Sequence, residues 1–82
     1  MLEQYGAKIH NVYKTTTQYL VPLPNDHKLS ILQDSRWPGF EIALINSKGL
    51  VHLEMFANYQ VFHPDTVAEI EEIILTLQRE LA

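Results

Sequence analysis

The last eighteen residues of the chain, Asp65 to Ala82, have the apolar spacing of one amphipathic helix. Apolar side chains recur there at steps of three and four residues, which places them on a single helical face. The members of this stripe are Val67, Ile70, Ile73, Ile74, Leu77 and Leu81. Because a helix buries its apolar face against another layer of structure, we expect a sheet beneath this one.

Signals for the start of this helix lie between His63 and Thr66. Pro64 suits the first helical turn, where a missing backbone donor costs nothing. Thr66 followed three residues later by Glu69 fits a capping box, in which the two side chains satisfy free backbone N–H groups. The sequence therefore predicts a helix that begins at a residue from His63 to Thr66.

The chain has 82 residues and no cysteine. This length suits one domain with a single core, spanning residues 1–82. The lack of cysteine excludes a disulfide framework and a thiolate metal site, and it is compatible with a reducing compartment. No apolar run approaches the roughly 20 residues that span a bilayer, and the N-terminus does not resemble a signal peptide. We therefore expect a cytoplasmic protein that does not bind a membrane.

The formal net charge of −4 comes from the predicted helix. Residues 1–64 carry five acidic and five basic side chains, whereas the helix carries five acids against Arg79 alone. Binding to a phosphate backbone depends on clustered Lys and Arg, and this chain has no basic stripe. Direct nucleic-acid binding is therefore disfavoured.

Four segments rich in β-branched and aromatic residues precede the helix, separated by turn residues. The predicted strands are Thr15–Val21, Lys28–Gln33, Phe40–Ile45 and Leu50–Phe62, and the clearest hairpin signal is Asn46–Gly49. The last strand is unusually long, so we expect a bulge near Ala57–Asn58. The sequence predicts an α+β domain, a four-stranded antiparallel meander with the C-terminal helix on one face. A short N-terminal helix to about His10 is an open alternative, because apolar residues there stand at helical steps.

Side chains alternate across a strand, which decides which residues meet the helix. The predicted core side comprises Tyr19, Val21, Leu29, Ile31, Phe40, Ile42, Leu44, Val51, Leu53, Met55, Tyr59 and Val61. The opposite side also carries apolar residues, namely Leu20, Leu32, Ala43, Ile45 and Phe56. An antiparallel sheet covered on one side normally shows polar groups on the other, so we expect an apolar covering for this second side.

Three coverings are open for that second side of the sheet. The first is the N-terminal segment, through Leu2, Tyr5 and Ile9. The second is another copy of the chain, which is favoured among partners because two-fold homodimers are the commonest oligomers. The third is a different protein. The predicted partner-binding residues are Leu20, Leu32, Ile45 and Phe56.

Two further surfaces are candidates for recognition. Leu75 falls outside the helical stripe beside Glu71 and Glu72, an arrangement that suits a docking edge with a charged rim, although acidic helix faces are usually just solvated. Arg36 and Trp37 are residue types common in binding hot spots. We expect Trp37 to cover the end of the sheet, since most tryptophans are largely buried. If it is exposed instead, it offers a stacking platform for a small ligand or nucleotide.

No pattern of residues indicates catalysis, a metal or a cofactor. The four histidines do not share the spacing that builds a metal site from one element. The serines lack a nucleophile elbow, and the glycines form no phosphate loop. We therefore expect a non-enzymatic protein-interaction module that homodimerises or docks on a protein. An acidic inhibitor that mimics nucleic acid through Asp65, Glu69, Glu72 and Glu80 is a second hypothesis, and the small-ligand binder at Arg36 and Trp37 is a third.

Overall fold

The computed structural model describes residues 2–51 and 61–82 of the chain. Within these ranges the chain forms a 3-10 turn, five strands and one helix. Their bounds are Glu3–Tyr5 for the turn, Lys8–Tyr13 (β1), Thr16–Leu23 (β2), His27–Asp34 (β3), Glu41–Asn46 (β4), Gly49–Val51 (β5) and Val67–Glu80 (α1). The strands form one antiparallel sheet in the order β1-β2-β3-β4-β5. The predicted α+β fold is confirmed, and the sheet has one strand more than expected.

The additional strand comes from the segment for which a short N-terminal helix was an alternative. Glu3–Tyr5 makes only a single 3-10 turn, which ends at Gly6 with a φ of 84°. The following residues pair with β2 through Ile9↔Tyr19 and Val12↔Thr17, with a register shift at His10. β-branched side chains lose rotamer freedom in a helix and pack well on a pleated surface, which explains why this segment is a strand.

Tight hairpins join consecutive strands of the sheet. Between β2 and β3 the turn places Asn25 and Asp26 at φ values of 58° and 62°, a conformation that these two residue types tolerate. Between β4 and β5 the side chain of Asn46 accepts a hydrogen bond from the backbone N–H of Lys48 at 2.8 Å. Gly49 follows with a φ of 113°, as the hairpin signal predicted.

The last predicted strand begins as β5 and meets the sheet again at Phe62. Phe62 forms an antiparallel bridge with Ile42, with N···O distances of 2.8 and 2.9 Å. The bulge predicted near Ala57–Asn58 lies outside the described residues. The same holds for the predicted face positions Leu53, Met55, Phe56 and Tyr59.

Helix α1 begins directly after Thr66. The Thr66 hydroxyl accepts a hydrogen bond from the backbone N–H of Glu69 at 3.2 Å. The Glu69 carboxylate accepts one from the backbone N–H of Asp65, also at 3.2 Å. Of the predicted starting points, the structure therefore selects the Thr66 cap.

One face of the sheet, which we call the helix face, packs against α1 to form the core. Ile70, Ile74 and Leu77 of the helix are fully buried. They form one cluster with the sheet residues Val21, Leu23, Leu29, Ile31, Ile42 and Leu44. This confirms which side chains of the three central strands were predicted to face the helix. Val67 was wrongly included in the buried stripe, since this first helical residue remains 39% exposed.

The N-terminal turn also packs on the helix face. Leu2 is only 4% exposed and belongs to the core cluster, against which Tyr5 and Ala7 pack. Ile9 pairs with Tyr19, and residues paired directly across antiparallel strands share a face. The first of the three possible coverings, by Leu2, Tyr5 and Ile9, therefore does not occur. In the described ranges, no helix is long and apolar enough to cross a membrane.

Candidate functional site

The side of the sheet opposite α1, which we call the outer face, carries apolar side chains between polar ones. The strand register arranges its central residues in three rows that run across β2, β3 and β4. These rows are Pro22–Lys28–Ile45, Leu20–Ser30–Ala43 and Gln18–Leu32–Glu41. Leu20, Leu32, Ala43 and Ile45 are half-buried in the isolated chain. Neither α1 nor the N-terminal turn covers them, because both pack on the helix face.

The middle row of the outer face contains its smallest side chains. Ser30 is 8% exposed, and its hydroxyl accepts a hydrogen bond from the Gln18 side-chain amide at 2.9 Å. Ala43 lies beside Ser30 on β4. Two small side chains, Ser30 and Ala43, therefore lie side by side at the centre of the outer face.

Opposite charges lie toward the two ends of the outer face. The cation Lys28 lies in the first row, whereas Lys8 lies at the edge strand, level with the middle row. Glu41 lies in the third row, and Asp34 lies beyond it at the end of β3. The outer face is therefore cationic toward one end of the strands and anionic toward the other.

Asp34 is neutralised within the chain. Its carboxylate accepts hydrogen bonds from the Arg36 side chain at 2.9 and 3.1 Å, from the Arg36 backbone N–H at 2.9 Å and from the Thr16 hydroxyl at 2.9 Å. The Arg36 guanidinium holds the pKa of this carboxyl well below its usual range, since its hydrogen bonds favour the charged form. Asp34 and Arg36 thus add little net charge to this end of the sheet.

Trp37 lies in the loop that follows β3 and is 65% exposed. The expectation that it covers the end of the sheet is wrong. Its backbone N–H donates to the Asp34 carbonyl at 3.1 Å, which places the residue in the turn. The Arg36 guanidinium lies 5.8 Å from the indole centroid, within the range of a cation–π contact.

The end of the Trp37 loop is fixed by backbone contacts with the segment that leads into the helix. The Phe40 N–H donates to the Pro64 carbonyl at 2.9 Å. Gly39 adopts a φ of 78°, and a Cβ there would lie only 3.0 Å from the same Pro64 oxygen. Glycine is therefore required at this position for both its backbone conformation and its small size.

An open groove of about 310 Å³ lies between this loop and the third row of the outer face. We call it the Trp37 groove. It is lined by Thr16, Leu32, Asp34, Trp37, Pro38, Gly39, Phe40, Glu41 and His63. The groove combines an exposed aromatic ring, an apolar floor and carboxylates.

Glu41 is the carboxylate of the Trp37 groove that has no internal partner. It is half-buried, and among residues 2–51 and 61–82 no hydrogen bond or salt bridge joins its side chain to another group. Because Arg36 is already paired with Asp34, the groove bears excess negative charge. This charge suits an ammonium or guanidinium group better than the phosphate of a nucleotide. It therefore disfavours the hypothesis of a nucleotide site at Arg36 and Trp37.

The exposed side of α1 carries the second predicted surface. Leu75 is 41% exposed and Glu72 is exposed, as its position on the helix predicted. Glu71 instead faces the N-terminal turn. The Tyr5 hydroxyl donates a hydrogen bond to the Glu71 carboxylate. Burial and this nearby negative charge raise the pKa of Tyr5. Of the two predicted acidic rim residues, only Glu72 has no side-chain partner in the described part of the chain.

The predicted site residues thus fall into three separate places. Leu20, Leu32 and Ile45 share the outer face, Arg36 and Trp37 border its anionic end, and Leu75 lies on α1. Phe56 lies outside the described residues. Lys28, Asp34 and Glu41 were not predicted as site residues, although strand alternation places them on the outer side.

The structure offers no alternative centre for metal chemistry in the ranges it describes, where no cluster of three or more His, Cys, Asp or Glu side chains occurs. Comparison of the chain with protein families, curated protein sequences and solved structures found no match.

Proposed function

We propose that this protein is a small non-enzymatic interaction module that associates through the outer face of its sheet, with a second copy of the chain as its partner. The observation that carries this proposal is the apolar centre of that face. Leu20, Leu32 and Ile45 lie on the side away from α1, and no described element packs over them. Covering this surface removes apolar area from water, which is the main driving force for association.

A second copy fits this surface because its charges are self-complementary. One end of the face carries Lys28, and the other carries Glu41 beside the neutralised Asp34. Two copies that meet with their strands in opposite directions bring unlike charges together. Electrostatic complementarity of this kind favours association and selects its orientation.

Two shifted pKa values in the described part of the chain have structural causes. The shifted pKa of Asp34 is explained by Arg36 within the same chain, and that of Tyr5 by burial and Glu71. These are structural pairs at separate places on the surface. They do not form the paired acid and base that a catalytic site requires.

The proposal is tested by light scattering of the wild type and of Ile45→Glu over a wide range of concentrations. We expect the wild type to have twice the monomer mass at high concentration and Ile45→Glu to remain monomeric, because the substitution places a charge in the apolar centre. The matched control is Val12→Glu, since Val12 is 61% exposed and pairs with Thr17, which lies on the helix-face side of β2. This control should associate like the wild type. A wild-type chain that remains monomeric at every concentration contradicts the proposal.

A further inference from the structure

We infer that Lys28 of one copy enters the Trp37 groove of the other copy and pairs there with Glu41. This inference rests on the proposed function, since it requires the outer-face dimer. The Trp37 groove is thus a binding site for a primary ammonium group. Its natural ligand is the side chain of a second copy of the chain.

The groove has the chemistry of a cation site. Glu41 supplies a carboxylate that no described group neutralises, and it is half-buried beside Leu32. Trp37 supplies an indole ring that is 65% exposed. A carboxylate together with an aromatic face attracts a cation more strongly than either does alone, because the charge and the ring quadrupole act in the same direction.

Lys28 has the position and the freedom to be that cation. Its side chain is exposed on the outer face, and no salt bridge joins it to any residue in the described ranges. It belongs to β3, the same strand as Leu32, but lies two rows away from it. Lysine carries its charge on a flexible four-carbon stem, which allows the charge to cross an interface.

A two-fold axis connects these two positions. We place the axis in the plane between the sheets, perpendicular to the strands and over the middle row, Leu20–Ser30–Ala43. Rotation about it carries the first row onto the third, so Lys28 comes to lie opposite Leu32 of the partner copy and next to Glu41 of that copy. The small side chains of Ser30 and Ala43 then lie at the axis, where the two faces approach each other.

The charges also disfavour the other simple two-fold arrangement. An axis parallel to the strands and over β3 would place Lys28 of one copy on Lys28 of the other, while Glu41 on β4 would face Gln18 on β2. Neither Lys28 nor Glu41 would then meet an opposite charge, so the perpendicular axis, which brings them together, is preferred.

The test is a charge exchange measured by sedimentation equilibrium. We expect Lys28→Glu and Glu41→Lys each to raise the dissociation constant of the dimer at least about tenfold, because each change creates a like-charge contact. The double variant restores an unlike pair, so its dissociation constant should return close to that of the wild type. The controls are Arg79→Glu and Glu72→Lys, which make the same charge changes on the exposed side of α1. Thermal unfolding of each variant verifies that it is folded.

Three outcomes separate this inference from the proposed function. If Ile45→Glu dissociates the dimer but the charge reversals have no more effect than their controls, the Lys28–Glu41 pairing is wrong while the proposed function stands. If both single reversals weaken the dimer and the double variant does not recover, the pairing is also wrong. If the wild type is monomeric, both fail.

Fluorescence provides an independent readout, because Trp37 is the only tryptophan in the chain. We expect its emission to change with protein concentration as the second copy's lysine reaches the groove. The variant Lys28→Met keeps most of the stem and removes the charge. An unchanged concentration dependence in Lys28→Met would overturn the assignment of Lys28 to the groove.

Discussion

Asp34 links three parts of the chain through its two carboxylate oxygens. They accept hydrogen bonds from Thr16 at the start of β2 and from the backbone and side chain of Arg36 in the following loop. The Arg36 guanidinium in turn lies near the Trp37 ring. This one acid therefore fixes the side of the loop that borders the Trp37 groove, and it leaves Glu41 as the free carboxylate.

Replacement of Arg36 by Ala should raise the pKa of Asp34 toward its ordinary value, because the hydrogen bonds that favour the charged form are lost. A depressed carboxyl pKa stabilises the fold above the unfolded-state pKa of about 3.9, and this stabilisation is lost as the pH falls through the folded-state pKa. The stability difference between wild type and Arg36→Ala should therefore be largest near neutral pH and shrink in acid. NMR titration of the Asp34 carboxyl carbon and urea unfolding at several pH values measure the two effects.

The control for this prediction is Lys48→Ala, which removes a positive charge from the exposed β4–β5 turn. It should leave the pKa of Asp34 unchanged. An Asp34 pKa that is equally low in wild type and Arg36→Ala would show that Arg36 does not cause the depression.

At this scale the sequence did not predict the surroundings of the candidate residues. The recognition role of Trp37 stays a prediction, and its burial was predicted wrongly. Burial depends on whether apolar surface is available nearby, and the contacts of Asp34 with Arg36 hold the loop beyond the edge of the core. Asp34 and Arg36 are close in sequence, but their residue types alone do not show that they pair with each other in the folded chain.

The boundaries of α1 show how local sequence determines a secondary-structure element. The Thr66 hydroxyl accepts the N–H of Glu69, and Glu69 reaches back to the N–H of Asp65. Both contacts join residues within four positions of one another. The helix start could therefore be predicted from the sequence, although more than one starting residue was possible.

Replacement of Thr66 by Ala should destabilise the protein by about 1 kcal/mol, because the first turn loses a side-chain acceptor. The measurement is the free energy of unfolding in urea. The matched control is Thr76→Ala, since the Thr76 hydroxyl only donates to the Glu72 carbonyl within the helix at 2.9 Å. Alanine has the higher helix propensity, so the control should change stability by less than about 0.5 kcal/mol. Equal losses in the two variants would contradict the capping role of Thr66.

The N-terminal segment shows the limit of prediction from one element alone. Its apolar residues fit both a helix and a strand, and the pairing with β2 decides between the two. That pairing involves residues far apart in the sequence, such as Lys8 and Leu20. The same pairing places Ile9 on the helix face. The N-terminal segment therefore does not cover the outer face.

At the scale of the whole molecule, the two faces of the sheet differ in what covers them. The helix face is closed by α1 and the N-terminal turn, with core residues such as Ile31 and Ile42 fully buried. The outer face keeps Leu20, Leu32 and Ile45 at its surface. Alternation along the strands predicted this division correctly, because strand register preserves the side on which each residue lies.

The sequence could not predict how charge is distributed over the outer face. The positions of Lys28 and Glu41 relative to each other depend on the register between β3 and β4, which pairs Lys28 with Ile45 and Leu32 with Glu41. A shift of the register would change which charges are neighbours. The self-complementary pattern is therefore a property of the folded sheet, and it is the reason to assign the outer face to a second copy.

The most direct measurement of the outer-face dimer is an isotope-filtered NOE experiment on a mixture of labelled and unlabelled chains. We expect intermolecular contacts to involve the methyl groups of Leu20 and Ala43, which lie in the middle row, and none to involve Ile9 or Val12 at the edge strand. Intermolecular contacts confined to Ile9 and Val12, or to the exposed side of α1, would show that the molecule associates through another surface.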